Sequence, residues 1–119
     1  MLTVVDGIVA GEDCGPLLPR DKPLGVLCGG MDPVAVDLAV VKLMGFEWRR
    51  VPKIVHSLEA ERYRFTEVKR PEDLKICLRE LGDNQLRRVR LADWKVNAHF
   101  KPHAGWKVLV EGVEDPCPR

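Results

Sequence analysis

Met31-Asp32-Pro33-Val34-Ala35-Val36-Asp37-Leu38-Ala39-Val40-Val41-Lys42-Leu43-Met44-Gly45 carries the clearest structural instruction in this chain. Asp32 suits an N-cap, because its carboxylate accepts the unpaired amide protons of a first helical turn. Pro33 suits the first helical position, where no amide donor is needed. From Val34 to Met44 only Asp37 and Lys42 are polar. A helix apolar nearly all round belongs inside, touched on more than one side. Gly45 follows, where a helix end favours left-handed backbone. The stretch predicts a central buried helix over 33–44, with Val36, Val40 and Leu43 deep in the core.

On its N-terminal side, Leu2 to Val5 reads as a strand ended by the turn pair Asp6-Gly7. GEDCGPLLPRDKP, residues 11–23, is dense in Gly and Pro and reads as a loop. Leu24 to Cys28 is short and apolar, as a buried strand is, and Gly29-Gly30 ends it. On the C-terminal side, Glu47 to Pro52 is a connector, and Lys53 to Tyr63 a second helix. Phe65 to Val68 is a short strand. Pro71 opens a third helix, with Glu72 and Asp73 favourable to its dipole and Gly82 closing it; Leu74, Cys77, Leu78 and Leu81 share one face. Leu86 to Leu91 is an edge strand with Arg87, Arg88 and Arg90 outward. Lys107 to Val110 is a last strand. These expectations add up to one α/β domain over residues 1–119, with about four strands and three helices.

Length and composition agree. A chain of 119 residues fits one domain that buries a real core without disulfides. It is 45% hydrophobic and 31% charged, unlike a disordered chain, and its net charge of +1 supplies no field for nucleic acid or membrane. The cysteines Cys14, Cys28, Cys77 and Cys117 form no C-x-x-C pair. The first basic residue is Arg20, so no basic region precedes the apolar start as it would in a signal peptide. The longest apolar stretch, Val34 to Phe46, is too short to span a bilayer. Cytoplasm is the expected location.

The segments VVDGIVAGEDCGP (4–16) and KPLGVLCGGMDPVAVDLAVVKLMGF (22–46) resemble the family catalogued as domain of unknown function 362, in its C-terminal part. The shared pattern is a strand ending in Asp-Gly, a loop with Glu and Gly-Pro, a strand ending at small residues, then D-P-V-A-x-D opening a helix that ends in L-M-G. FKPHAGW (100–106) is similar to the family's closing F-x-P-x-x-G-W segment. Members are much longer, and many are described as iron–sulfur proteins. The cluster belongs to a ferredoxin-like cysteine motif that this chain lacks, so the resemblance implies no cofactor here. The family loop usually reads Glu-Gly-Asn-Gly-Pro, whereas this chain has Glu12-Asp13-Cys14-Gly15-Pro16.

The ligand-binding candidates are Asp6, Glu12, Gly29, Gly30, Asp32 and Asp37. Asp32 is first a cap, worth ~1 kcal/mol. Asp37 sits one turn inside an apolar helix, and a carboxylate there needs a partner or its pKa rises. Gly29-Gly30 joins a strand to a helix N-terminus, a place where anions bind in parallel α/β sheets, but no phosphate-loop or dinucleotide fingerprint accompanies it. Asp6, Glu12, Asp13, Asp32 and Asp37 would suit magnesium or calcium if strand ends gathered three of them; no ligand-loop spacing demands it, and no metal is expected. His99 and His103 stand four apart, but Pro102 and Gly105 argue against the helix that a zinc pair would need. Ser57 lies beside His56 on one helix, about 100° apart, and has no nucleophile context. Arg87, Arg88, Arg90, Trp94 and Lys95 combine charge with an aromatic, yet Glu80, Asp83 and Asp93 lie close by, and nucleic acid is not expected.

No reaction can be assigned from these residues. The function they favour is a small binding or accessory domain acting through a protein partner or a homodimer. The alternative is an enzyme, or a metal-assisted small-ligand site, at the loops around Asp6, Glu12, Gly30 and Asp37.

Overall fold

The computed structural model describes residues 1–107. It is mixed α/β, built from two antiparallel hairpins that flank two helices. Strands β1 (Thr3–Cys14) and β2 (Leu18–Gly30) form the first hairpin. Helix α1 (Pro33–Met44), a 3-10 turn (Trp48–Arg50) and helix α2 (Pro52–Glu59) follow. A second 3-10 turn (Pro71–Asp73) leads to the second hairpin, β3 (Lys75–Leu78) and β4 (Arg87–Arg90), and a last 3-10 turn spans Ala104–Trp106.

The first hairpin corrects the reading of residues 2–28. Asp6-Gly7 does not turn the chain. The Asp6 carboxylate accepts from Ile8 N at 2.9 Å, and the register shifts between Gly7 and Val9. There Leu24 and Gly25 of β2 face the single Ile8 of β1, so the bulge lies in β2, where Gly25 holds a φ of 66°. The local chemistry of Asp and Gly is thus used inside the ladder, where an extra residue must be absorbed. The Gly/Pro-dense segment 11–23 continues both strands, with Glu12 opposite Arg20 and Cys14 opposite Leu18. Pro19 and Pro23 are tolerated because a two-stranded sheet consists only of edges.

Helix α1 forms as its sequence dictates. Asp32 Oδ1 accepts from Val34 N at 3.0 Å and Ala35 N at 3.1 Å. At the other end Gly45 adopts φ 88°, its N–H donates to Lys42 O, and Phe46 N donates to Val41 O. That closure leaves the carbonyls of Leu43 and Met44 open. Ala98 N takes the first at 2.8 Å and Phe100 N the second at 3.1 Å. A segment far along the chain therefore finishes the helix.

The helix is buried on two faces. Val34 and Leu38 join Ile54 of α2 and Leu91 in the core, with Trp48 and Trp94 packed against it. Val36, 3% exposed, faces β2 so closely that a Cβ on Gly30 would lie 3.0 Å from its Cγ2. Val36 is deep as expected, whereas Val40 and Leu43 are only half-buried.

Beyond α1 the outcome is mixed. The second helix ends at Glu59, short of Tyr63, and residues 65–68 form no strand. The third helix is replaced by one 3-10 turn and β3. Leu74, Ile76 and Leu78 are half-buried while Lys75, Cys77 and Arg79 are exposed, and Leu81 lies wholly in solvent. The run holds both a helical and an alternating apolar pattern, and the partner β4 selects the second. β4 confirms the charged strand, and Leu91 N extends the pairing to Leu74 O at 2.7 Å. Among the described residues two helices and two separate two-stranded sheets thus stand where about three helices and a small sheet of about four strands were expected. The expected strand at 107–110 lies outside the described residues apart from Lys107.

Candidate functional site

Asp32 is the most heavily bonded carboxylate among the described residues. Besides capping α1 through Oδ1, it accepts at Oδ2 from Thr66 Oγ1 at 2.6 Å and from Glu67 N at 3.1 Å. Thr66, buried at 6% exposure, accepts in turn from Val68 N at 3.0 Å. Burial pushes the Asp32 carboxyl up, but the donors Thr66, Ala35, Glu67 and Val34 outweigh it and hold the group below the usual range. All this capacity is spent on joining α1 to the 66–68 segment.

Glu12 lies near the far end of the hairpin. Its Oε2 accepts from Lys22 Nζ at 2.9 Å and Lys101 N at 3.0 Å, and Asp13 N donates to Lys101 O. The hydrogen bond from Lys22, then that from Lys101, lowers the Glu12 carboxyl. Lys22 also donates to His99 O and lies 5.1 Å from the Phe100 ring centre. These contacts hold the segment that closes α1 against the hairpin.

The other candidates separate. Asp6 bonds its own strand and is paired with Leu27. Six residues along a strand place it about 20 Å from Glu12. Asp37 finds its partner in α2, with Lys53 Nζ at 2.7 Å. Gly29 and Gly30 allow close packing, since a Cβ on Gly29 would come within 3.2 Å of Thr3 O. Among the described residues no group of three or more His, Cys, Asp or Glu could hold a metal ion. His103 caps Gly105 N through Nδ1 at 3.1 Å, and Ser57 donates to Lys53 O. Arg87 pairs with Glu80, and Arg90 with Asp93 and Asp73, so two cations of the basic stretch are compensated. No helix among the described residues is long and apolar enough to cross a membrane.

What the structure does gather is a groove of about 740 Å³ between the two hairpins. Gly29, Gly30 and Asp32 stand at one wall with the rest of β2 from Gly25; β3 and its flanks form the other; Ala35, Val36, Ala39 and Val40 form the floor. The β3 wall was missed, because a helix was expected there. The alternation of Leu74, Ile76 and Leu78 was the signal that would have found it. Cys28 lines the same groove, and burial raises its thiol pKa, so it is a poor nucleophile. A smaller cavity of about 340 Å³ lies under the far end of the hairpin, lined by Met44, Phe46, Phe100 and Trp106 beside Glu12 and His103.

No curated protein and no solved structure matches this chain. The FKPHAGW resemblance lies outside the residues that a family model matches; that match falls on the N-terminal part of the chain and does not assign it to the C-terminal part of the family. Residues 1–42, which comprise the first hairpin and most of α1, match the model of a family described as Domain of unknown function (DUF362).

Proposed function

We propose that this chain is a small binding domain that works by protein–protein contact through the outer face of the β1–β2 hairpin, with a second copy or a partner. One observation carries the reading. On the face away from α1 stand Val4, Ile8 and Leu27, exposed by 63%, 53% and 67%, with Gly29 opposite Val4 and Asp6 opposite Leu27. An antiparallel sheet with one wet face ordinarily alternates apolar inward and polar outward. Along Val4–Ile8 and the β2 residues opposite, the outward positions are apolar or bare backbone, with Asp6 as the one charge in that stretch. Among the described residues neither edge of the sheet pairs with a further strand, and a backbone bond from outside the hairpin reaches β1 only at Asp13. A two-fold contact would cover these surfaces with one self-complementary patch, burying over roughly 1,000 Å² in total.

Light scattering across a dilution series tests this. The expected result is a mass that falls from dimer to monomer on dilution, and that is monomeric throughout for Ile8→Glu, an exposed position whose change leaves the core intact. A monomer at every concentration that also fails to bind anilinonaphthalene sulfonate would overturn the reading.

A further inference from the structure

We propose that the groove between β2 and β3 receives an extended segment of another polypeptide, apolar at alternate positions and acidic at its flanks, which adds as a strand between the two hairpins. The inference deepens the binding-domain reading by adding a second surface. Three observations converge on it.

First, the walls are strand edges. β2 and β3 belong to separate sheets, yet Gly25–Gly30 and Leu74–Glu80 line one groove. Each has its hairpin partner on one side. Among the described residues no further backbone hydrogen bond reaches residues 25–30 or 75–79. Alternate N–H and C=O groups of each strand therefore face the groove without partners, which is how a sheet edge recruits an extended peptide. Six residues of edge run about 20 Å, enough to register a short segment.

Second, the floor suits side chains of alternating character. An inserted strand directs every second side chain onto α1, where Ala35, Val36, Ala39 and Val40 are apolar and the two alanines leave room. The intervening side chains face solvent.

Third, the rim is positive. Of the acidic residues lining the groove, Asp32 is committed to four donors and Glu80 to Arg87. Lys75 and Arg79 are exposed on β3 and its end; among the described residues Arg79 bonds only the neutral Asp83 carbonyl and Asn84 side chain. Two cations with no acidic partner among the described residues, beside open amides, favour Asp or Glu near the ends of the segment.

A second copy is a poorer occupant. Each of the four described strands already holds a neighbour on one edge, and a strand laid between β2 and β3 needs both edges free.

A random peptide library displayed on phage and panned against the full chain provides the probe, followed by fluorescence polarisation with the selected peptides made synthetically. The expected peptides alternate Val, Ile or Phe with polar residues and carry Asp or Glu. Their affinity should fall about tenfold in the Lys75→Glu/Arg79→Glu variant, where a charge-assisted contact becomes repulsive. It should vanish with Ala35→Trp, which fills the floor, and fall when alternate peptide amides are N-methylated. Circular dichroism and melting verify that each variant is folded; the charge reversal touches only exposed residues and serves if Ala35→Trp does not fold. Ile8→Glu should leave peptide binding unchanged while abolishing self-association, so the two readings fail separately. No enriched peptide, or peptides whose binding ignores the Lys75 and Arg79 reversal, would overturn the proposal.

Discussion

Replacing Asp32 by Ala removes one carboxylate and four hydrogen bonds at once, two to the first turn of α1 and two to Thr66 and Glu67. Loss of an N-cap costs ~0.5–2 kcal/mol. Each hydrogen bond to a charged group contributes ~1.5–3 kcal/mol when well shielded. Asp32 is only part-buried, so water replaces some of what is lost, and the contacts share one group and do not add. The expected total is ~2–4 kcal/mol, a large share of the ~5–15 kcal/mol of a typical domain. For a chain of this size that lowers the melting temperature by roughly 10–20 °C.

Asp32→Asn separates the parts. Asn still caps the helix, but its amide nitrogen cannot accept from Glu67 N, so the cost should be smaller. It also removes a titration. The Asp32 carboxyl is held below its ordinary value of 3.8, so the stability it adds is present above that value. That stability is lost as pH falls through the depressed one. Urea unfolding of both proteins from neutral pH into acid is the assay. The stability difference should shrink below the ordinary carboxylate range, because only the wild type has this increment to lose. An Asp32→Ala protein within ~0.5 kcal/mol of wild type, the range of an ordinary surface change, would refute the argument. So would a difference between wild type and Asp32→Asn that acid leaves unchanged.

Leu38 has no exposed surface, so Leu38→Ala should cost ~2–5 kcal/mol in denaturant unfolding, through lost burial and a cavity. Val40→Ala, at a half-buried groove position, should cost only about 1 kcal/mol; equal costs would show that α1 is not held as described. Glu12→Gln removes the carboxylate that joins Lys22 to Lys101 N. Amide exchange at Asp13 and at Ala98 and Phe100 should quicken, while the amides of α1 keep their protection. Because the Glu12 carboxyl is also lowered, acid should loosen the same segment in the wild type, and the Glu12→Gln variant should not respond to pH in that way.

Helix α1 was legible in the chain because its determinants are local. Asp32, Pro33 and Gly45 each act on backbone within one turn, and the near-absence of polar residues from Val34 to Met44 tells how deep the helix lies. The charged strand at 87–90 was legible within the expected 86–91 from its arginines around Val89, although its period is imperfect and Leu86 proves exposed. Tertiary structure alone decided the rest. The Gly and Pro of residues 11–23 mark a loop by composition, yet strand pairing with a partner within 20 residues turned them into a hairpin. Asp6-Gly7 holds turn chemistry that fits a strand position beside a bulge equally well, and only the extra residue of β2 at Leu24-Gly25 distinguishes the two. Residues 74–81 fit both a helical and a strand period, and the backbone donors of Arg87–Leu91 settled the choice. The candidate site followed the same division. Single residues such as Asp32 were found, because caps are local. The groove was not, because its two walls are about 50 residues apart in the chain and meet only when separate hairpins pack on one helix.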